Sequence, residues 1–344
     1  MTIIMRNKTF ILVAISFFLT IIAGCWYSGN SLQIPDLAQR DNIPSFAIPI
    51  DCDLGRDCFV MHYVDLDRSS QIADFGCGRQ TYDAHKGTDF AISDIKAMDA
   101  GVLVLAAAEG KVLRVRDGVA DKLVSDQTSK ERVTGQECGN GLVIAHDDGW
   151  STQYCHLKRG SVRVQPNTKV EKGAVLGMVG ASGLASFPHV HLTIRHQGKV
   201  VDPFVGEKLG TASCKIEPNS LWQKSLNYVP TGLIRSGFST EAPTQTQLWS
   251  GKYKDDTLSK NSPALIFWVH TYGVMEGDIE HWQLVSPEGE IAIDRNNILD
   301  KSYRSWVSYV GKRQFDSGIW QGKYELIRND RAIVSAQREI MIAE

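Results

Sequence analysis

Two histidines, His189 and His191, stand two positions apart in the run FPHVHLTIR. Alternate residues of a β-strand point to the same face, so both imidazoles are expected on one side of a strand. YDAHKGTDF adds His85 and Asp89, and QYCHL adds His156. Imidazole and carboxylate groups are ordinary zinc ligands, and histidine also transfers protons near neutral pH. Taken singly, each run also fits a half-buried strand-end histidine or a polar surface turn.

Short β-strands must position these residues. Between residues 49 and 205, short apolar and β-branched runs alternate with turns that contain Gly, Asn or Asp, the pattern of an antiparallel sheet. The run DDG at 147–149 predicts a hairpin turn between LVIAH and WSTQYCH. Residues 117–139 are polar and predict a surface insertion. Alternation along the second strand of the hairpin places four side chains on one face: Trp150, Thr152, Tyr154 and His156.

A second set of strands begins near residue 263. The runs PALIFWVHTYG, HWQLVSPEGEIAI, SYRSWVSYV and KYELIRNDRAIVSA are strand-like, and several alternate apolar and polar residues, with hairpin turns at PEG and RND. They predict a small immunoglobulin-like β-sandwich without the Cys-Trp-Cys core of a true immunoglobulin domain. The predicted fold class is therefore all-β, with an antiparallel β domain at 49–210, a linker at 211–260 and a smaller β-sandwich at 261–344.

The composition is that of an ordinary folded protein. Of the 344 residues, 43% are hydrophobic and 22% are charged, which argues against a disordered chain. The formal net charge is −2, so nothing indicates the basic face of a nucleic-acid-binding protein. Neither an HExxH helix motif nor a Gly-x-Ser-x-Gly motif occurs, so the usual zincin and serine-hydrolase sites find no support.

The N-terminus predicts export. Two basic residues precede the apolar run TFILVAISFFLTIIAG, which is typical of a signal peptide and short of the ~20 residues of a membrane span. The run IAGC resembles a bacterial lipobox, which implies cleavage before Cys25 and its lipidation; a plain signal peptide is the alternative. Trp26 follows Cys25, and by analogy with known lipoproteins this favours the outer membrane, facing the periplasm. We predict a signal peptide at 1–24 and a lipid-anchored tether at 25–48.

The remaining cysteines predict disulfides, because an even number of cysteines in an exported chain is typical of oxidised pairs. They are Cys52, Cys58, Cys77, Cys138, Cys155 and Cys214. The sequence alone does not select a pairing, although Cys52 and Cys58 are spaced to close a small loop. A cysteine-rich zinc knuckle is the competing interpretation, but the chain has no CxxC pair.

Together, HKGTD, QYCHL and FPHVH resemble, in that order, the motifs of the M23 family of zinc metallopeptidases, of the lysostaphin and LytM type. VLAAAEGKVLRV and VEKGAVLGMVG also look like strands of that family, so the resemblance covers about residues 80–205. It implies a compact antiparallel β domain with its site in a groove. The segment 49–210 is therefore predicted to be an M23-like peptidase domain.

The resemblance also implies the roles of the five site residues. Zn²⁺ would be held by His85, Asp89 and His191, while His156 and His189 would be catalytic without binding the metal. Three protein ligands leave one position for water, and bound zinc lowers the pKa of that water to about 7. One histidine would take a proton, and the other would protonate the leaving amine or stabilise the oxyanion. The sequence does not divide these roles.

Some features lie outside the family pattern. Ser186 and Phe187 replace the usual Thr-Gly before the HxH, which leaves the shape of the groove open, and the insertion 117–139 is expected to alter its rim. Cys138 and Cys155 flank the hairpin and suggest oxidative bracing near the site. Gly87 is expected to let the chain bend so that its neighbours turn inwards. Five histidines without comparable context are interpreted as structural or exposed: His62, His146, His196, His270 and His281.

The predicted function is a zinc endopeptidase that hydrolyses peptide cross-links of bacterial peptidoglycan, held beside its substrate by a lipid anchor in the membrane. For an outer-membrane lipoprotein, direct D-amino-acid cross-links are a more plausible target than glycine bridges. One alternative is a catalytically silent binding module that activates other wall hydrolases, although such members have lost zinc ligands. Another is a protease acting on proteins, with a protein partner bound by the C-terminal domain.

Overall fold

The computed structural model describes residues 44–209, 220–254 and 256–344. The predicted signal peptide, the lipidation site Cys25, most of the predicted tether and Cys214 lie outside the described residues. Within the described ranges, no helix has both the length and the apolar character needed to cross a membrane.

Residues 44–209 form mainly short antiparallel strands. The elements are β1 (Cys58–His62), β2 (Thr88–Ile92), α1 (Ile95–Ala100), β3 (Leu103–Leu105), β4 (Gly110–Arg116), α2 (Gln127–Glu131), β5 (Asn140–Ala145), β6 (Trp150–Leu157), β7 (Lys169–Val170), β8 (Val175–Met178), β9 (His189–His196), β10 (Lys199–Asp202) and β11 (Glu207–Lys208). The main sheet has the order β1-β2-β9-β6-β5-β4-β7, with β10 on β9 and β11 on β10, while β3 pairs with β8. The predicted DDG hairpin is confirmed, because β5 and β6 pair on either side of it.

Strand β9 lies between β2 and β6, and its register assembles the site. His191 lies opposite Asp89 on β2 and opposite Cys155 on β6. Directly opposite residues share a face of the sheet, so these three side chains project to one side. The intervening residues Val190 and Leu192 project to the other side and are at most 1% exposed. The hydrophobic core therefore holds β9 by one face and leaves His189 and His191 on the other.

The C-terminal strands form a β-sandwich. The elements are β12 (Gly232–Ser239), α3 (Gln245–Trp249), β13 (Thr257–Ser259), β14 (Leu265–Val274), β15 (Ile279–Val285), β16 (Ile291–Ile298), β17 (Tyr303–Lys312), β18 (Gly318–Arg328) and β19 (Arg331–Ala343). Sheets of order β12-β14-β17 and β13-β19-β18-β15-β16 share one core, in which the rings of Phe267 and Trp282 lie 5.7 Å apart. The hairpins predicted at PEG and RND are confirmed, as is the all-β fold class. We call residues 232–344 the sandwich.

Two segments predicted as connections belong to the folded structure. Within 211–260, β12 pairs antiparallel with β14 and β13 runs parallel to the end of β19. In the segment 25–48, Phe46 is completely buried, and its N–H donates to the carbonyl of Leu221. These segments lack a strong local pattern because their strand or extended state depends on partners distant in the chain. The predicted domain boundaries remain a prediction.

The sandwich packs directly against the N-terminal strands. An apolar cluster joins residues of both parts, namely Phe59, Met61, Ala91, Phe187, Ile234, Trp249 and Tyr272. The carboxylate of Asp94, fully buried, also accepts from Arg235 at 2.6 Å and lies 3.1 Å from Lys254 Nζ. A buried carboxylate is tolerated only with such partners. This contact therefore holds the sandwich beside the histidine-bearing strands.

Candidate metal and catalytic site

Three side chains converge at β2 and β9. His85 Nε2 lies 3.2 Å from Asp89 Oδ1 and 3.1 Å from His191 Nδ1, and the last two atoms are 2.8 Å apart. Ligand atoms bound to zinc at about 2.05 Å in a tetrahedron lie about 3.3 Å from one another. The donor set and its spacing therefore fit a metal ion, as predicted for these residues.

The other ring nitrogens of the two histidines are also engaged. His85 Nδ1–H donates to the carbonyl of Tyr63 at 2.6 Å, which leaves Nε2 free to bind a metal. His191 Nε2 lies 2.9 Å from Thr193 Oγ1, so in the metal-binding form Nε2–H donates to that hydroxyl. Such outer hydrogen bonds select the tautomer and orient the ligand.

His62 contacts the site, although the sequence analysis grouped it with the histidines that lack a comparable context. Its Nδ1 lies 3.0 Å from Asp89 Oδ2, whereas His85 and His191 contact the other oxygen, Oδ1. The ring is buried, and its residue pairs with Asp89 across β1 and β2. The run CFVMHYV has the composition of a strand, but its pairing with β2 is a long-range contact. The sequence therefore offers no local signal for this role.

His156 and His189, the two predicted catalytic histidines, lie side by side with ring centroids 4.5 Å apart. His156 Nδ1–H donates to the carbonyl of Ser182 and His189 Nδ1–H to that of Phe187, both at 2.8 Å. A carbonyl can only accept, so each neutral ring carries its proton on Nδ1 and can accept another at Nε2. His189 Nε2 lies 3.6 Å from Asp89 Oδ1. Both bases therefore face His85, Asp89 and His191, which we call the metal-binding group because they could hold a metal ion.

The backbone at His156 adopts a left-handed conformation, with a φ of 65°. Cys155 is the residue opposite His191, so simple alternation would place His156 on the core side with Tyr154. Its ring instead lies 6.0 Å from that of His191, on the site side. The prediction that His156 shares a face with Tyr154 is wrong, because the backbone is irregular at this end of β6. A left-handed non-glycine residue costs about 1–2 kcal/mol, and such strain is typical of functional positions.

Gly87 provides space. A Cβ at this position would lie 2.5 Å from His191 Nε2 and 2.6 Å from the carbonyl of Leu192. Its φ is not in the left-handed region, so no special bend depends on glycine here. The expectation of a glycine bend is corrected: the position needs glycine because the ring of His191 packs against its backbone.

The environment keeps the two bases and the carboxylate in their deprotonated forms at neutral pH. Burial lowers the pKa of His156 well below its ordinary value, and repulsion by His189 and His191 lowers it further. Burial likewise lowers the pKa of His189, to about 4, against the opposing pull of Asp89. Burial alone would raise the pKa of Asp89, but the surrounding histidines, His85 first, hold it well below its usual value. At neutral pH the site thus holds two neutral bases beside a carboxylate.

Residues 83–203 match the family model for peptidase family M23. Over this range the chain is similar to peptidase family M23, the family that the motifs predicted. The matched range, which we call the M23 domain, contains all five residues predicted to form the site.

Three similar proteins each match less than half of the chain. An uncharacterized metalloprotease of Buchnera aphidicola is 27% identical over 135 residues, which cover 39% of this chain and 28% of the relative. The DD-carboxypeptidase/endopeptidase Mpg of Neisseria meningitidis is 32% identical over 123 residues, 36% of this chain and 23% of the relative. A zinc-containing peptidase from Vibrio cholerae of known structure is 24% identical, with a TM-score of 0.32, over 46% of this chain and 39% of that chain. The match therefore spans less than a third of the length of the two curated relatives.

A groove of about 480 Å³ opens beside the metal-binding group of the M23 domain. Asp89 and His189 line it, as do Val124 and Lys130 from the insertion 117–139. The expected contribution of the insertion to the groove rim is confirmed. The sandwich supplies a further wall, formed by Gln245, Tyr303, Arg304 and Ser305.

Phe187, which departs from the family pattern, connects the M23 domain to the sandwich. Its ring lies 4.5 Å from that of His189 and stacks on Trp249 of α3 at 5.3 Å. Its carbonyl also holds the Nδ1–H of His189. A glycine at this position would lose both ring contacts. Phe187 in place of the usual glycine therefore brings the sandwich into contact with the residue that holds His189.

Disulfides brace the site and its surroundings. Cys138 pairs with Cys155, next to His156, and the His156 N–H donates to the carbonyl of Cys138 at 2.8 Å. Cys52 pairs with Cys58 and closes the predicted small loop. Their sulfurs are consumed by that bond, so a zinc knuckle there is excluded. Cys77 is also disulfide-bonded.

Proposed function

We propose that the protein is a zinc-dependent endopeptidase that hydrolyses peptide cross-links of bacterial cell-wall peptidoglycan. The observation that carries this proposal is the convergence of His85, Asp89 and His191, with the free Nε2 atoms of His156 and His189 beside them. The substrate class is supported by relatives named DD-carboxypeptidase/endopeptidase Mpg and peptidoglycan DD-endopeptidase ShyB.

His85, Asp89 and His191 would hold Zn²⁺. Two imidazole nitrogens and one carboxylate oxygen are a set typical of catalytic zinc, which keeps one further position open. When bound, zinc would polarise the scissile carbonyl and acidify the attacking water. His62 would hold the second oxygen of Asp89, and Thr193 would hold the second nitrogen of His191.

His189 and His156 would move the protons. We propose that Nε2 of His189 accepts the proton of the attacking water, because Asp89 Oδ1 at 3.6 Å favours the resulting imidazolium. The same ring can then return the proton to the departing amine. Burial, with repulsion from His189 and His191, holds the pKa of His156 well below its ordinary value. It would therefore remain neutral and orient the water through its Nε2 acceptor.

A combined metal and product measurement tests the proposal. Full-length protein, purified from an oxidising compartment, is assayed for bound zinc and incubated with cross-linked muropeptides, and the products are identified by mass spectrometry. We expect about one zinc per chain, as in other three-ligand sites, and cleavage that is lost with a chelator and in His156→Ala. His156→Ala should still bind zinc, which shows that it folds. Absence of both zinc and cleavage would favour the silent binding module instead. Zinc with cleavage of protein substrates alone would favour the protein protease.

We also propose that the chain is an exported lipoprotein, anchored through Cys25 in the outer membrane and facing the periplasm. The disulfides support an oxidising compartment. The test is incorporation of labelled fatty acid into the protein and its loss in Cys25→Ser, followed by separation of inner and outer membranes. Labelling that persists in Cys25→Ser would contradict the anchor.

A further inference from the structure

Two cationic side chains line the groove from different parts of the chain. Lys130 lies on α2 of the insertion and Arg304 at the start of β17 in the sandwich, and both are exposed. Among the residues that the structure describes, neither forms an ion pair within 4.0 Å. Of the described residues that line the groove, Asp89 alone is acidic, and its carboxylate is surrounded by histidines. The groove walls therefore present uncompensated positive charge to a bound peptide.

Arg304 is held in place by the segment that leads into the metal-binding motif. Its Nη1 donates to the carbonyl of Thr81 at 3.2 Å, and its own carbonyl accepts from Gln80 Nε2 at 3.5 Å. Gln80 is itself buried and donates to the carbonyl of Met61 at 2.6 Å. A guanidinium has five N–H groups. Only one hydrogen bond from this guanidinium goes to a described residue, so its other N–H groups have no hydrogen-bond partner within the described ranges.

Arg304 shares the groove with residues of the proposed reacting centre. His62 contacts Asp89 directly and lines the same groove. A ligand group bound by Arg304 would therefore lie within a few side-chain lengths of the reacting centre.

We propose that Arg304 binds a free carboxylate of the peptide substrate, with Lys130 as a second cation on the groove wall. The inference rests on the proposed function and names its substrate class as acidic peptides with a free carboxylate near the scissile bond. Planar guanidinium groups bind carboxylates through two parallel hydrogen bonds, which gives both affinity and orientation. An uncharged glycine bridge would lack this anchor. The sandwich thus supplies part of the substrate site.

The test compares acids with their amides. Substrates are a cross-linked peptide dimer and derivatives in which each free carboxylate is converted in turn to the carboxamide. For the wild type, one amidation should lower kcat/KM about tenfold, mainly through KM, which is the effect of one partly exposed charge-assisted hydrogen bond. In Arg304→Gln, the acid-to-amide ratio at that position should fall to near one. Arg304→Lys should retain part of the preference, because it keeps the charge but loses the fork.

Arg331→Gln is the matched control, because Arg331 is exposed at the hairpin end of β19 and lies outside the groove. It should keep the wild-type acid-to-amide ratio. Zinc content and thermal melting, measured for each variant, report on folding independently of the ratio. A wild-type ratio near one at every carboxylate, or a full ratio retained in Arg304→Gln, would overturn the carboxylate site.

Binding measured without turnover separates this inference from the proposed function. Calorimetry with the intact dimer and the His156→Ala variant should show about tenfold weaker binding of the critical amide. Adding Arg304→Gln should remove the difference. If the wild type cleaves no dimer but acid-dependent binding is lost with Arg304→Gln, the endopeptidase proposal fails and the carboxylate site stands. If the wild type cleaves the dimer but shows no acid preference in binding or turnover, the endopeptidase proposal stands and the carboxylate site fails.

Discussion

Removal of His62 should weaken metal binding, although this residue is not in the metal-binding group. Its Nδ1 donates to Asp89 Oδ2 at 3.0 Å, and both side chains are at least nine-tenths buried. In His62→Ala, the carboxylate would lose the hydrogen bond that orients it towards His85 and His191. Loss of such an outer-shell partner typically costs 10–100-fold in metal affinity, which is about 1.4–2.7 kcal/mol.

The assay is competition for zinc against a chromophoric chelator at pH 7.5 or similar neutral conditions. His62→Asn is the conservative variant, because its side-chain amide can place an N–H donor near the position of Nδ1 and should recover part of the affinity. His281→Ala is the matched control, because His281 lies in the sandwich and pairs with Asp294. Urea unfolding of the metal-free variants separates a packing defect from a change in affinity. A zinc affinity of His62→Ala within about twofold of the wild type would refute the orienting role.

Three further predictions concern packing and pH. Gly87→Ala should displace His191 and abolish high-affinity zinc binding, because its Cβ would lie 2.5 Å from Nε2; zinc content near the wild-type level would contradict this. Arg235→Met should lower the free energy of unfolding by about 3 kcal/mol, because among the described residues it leaves buried Asp94 with Lys254 as its one charged partner. Calorimetry measures this change, and a loss below about 1 kcal/mol would argue against the role of Arg235. Burial raises the pKa of Asp202 to about 7, above the ~3.9 of an unfolded chain, so its ionisation weakens the fold progressively from about pH 4 to 7. Asp202→Asn should therefore gain stability relative to the wild type as pH rises across that window, by up to about 4 kcal/mol, and an equal difference in urea unfolding at both ends would contradict it.

The residues of the metal-binding group can be predicted from short sequence patterns. His189 and His191 share a face because a strand repeats every two residues, and the core needs Val190 on the other side. Asp89 follows His85 by four residues, so a short turn and the first residues of β2 are enough to bring them together. The hairpins and the all-β class follow from the same short-range patterns of apolar alternation and turn residues. These features depend on neighbours within a few positions, which a sequence displays directly.

Other parts of the site depend on contacts that no local pattern specifies. His62 and Asp89 are 27 residues apart in the chain, and they meet because the register of β1 against β2 places them opposite each other. Alternation predicts the wrong face for His156, since tertiary contacts hold its backbone in a left-handed conformation. The role of Phe187 in joining the M23 domain to the sandwich depends on its stacking against the distant Trp249.

Arg304 lies far from the metal-binding motifs in the chain, and packing of the sandwich brings it to the groove. Its guanidinium meets the carbonyl of Thr81 across 223 positions. The sequence by itself determined which atoms can bind a metal and move protons, because that chemistry resides in residue types at short spacing. Only the tertiary structure decided which distant side chains orient those atoms and form the walls around them, because register and packing are properties of the whole chain.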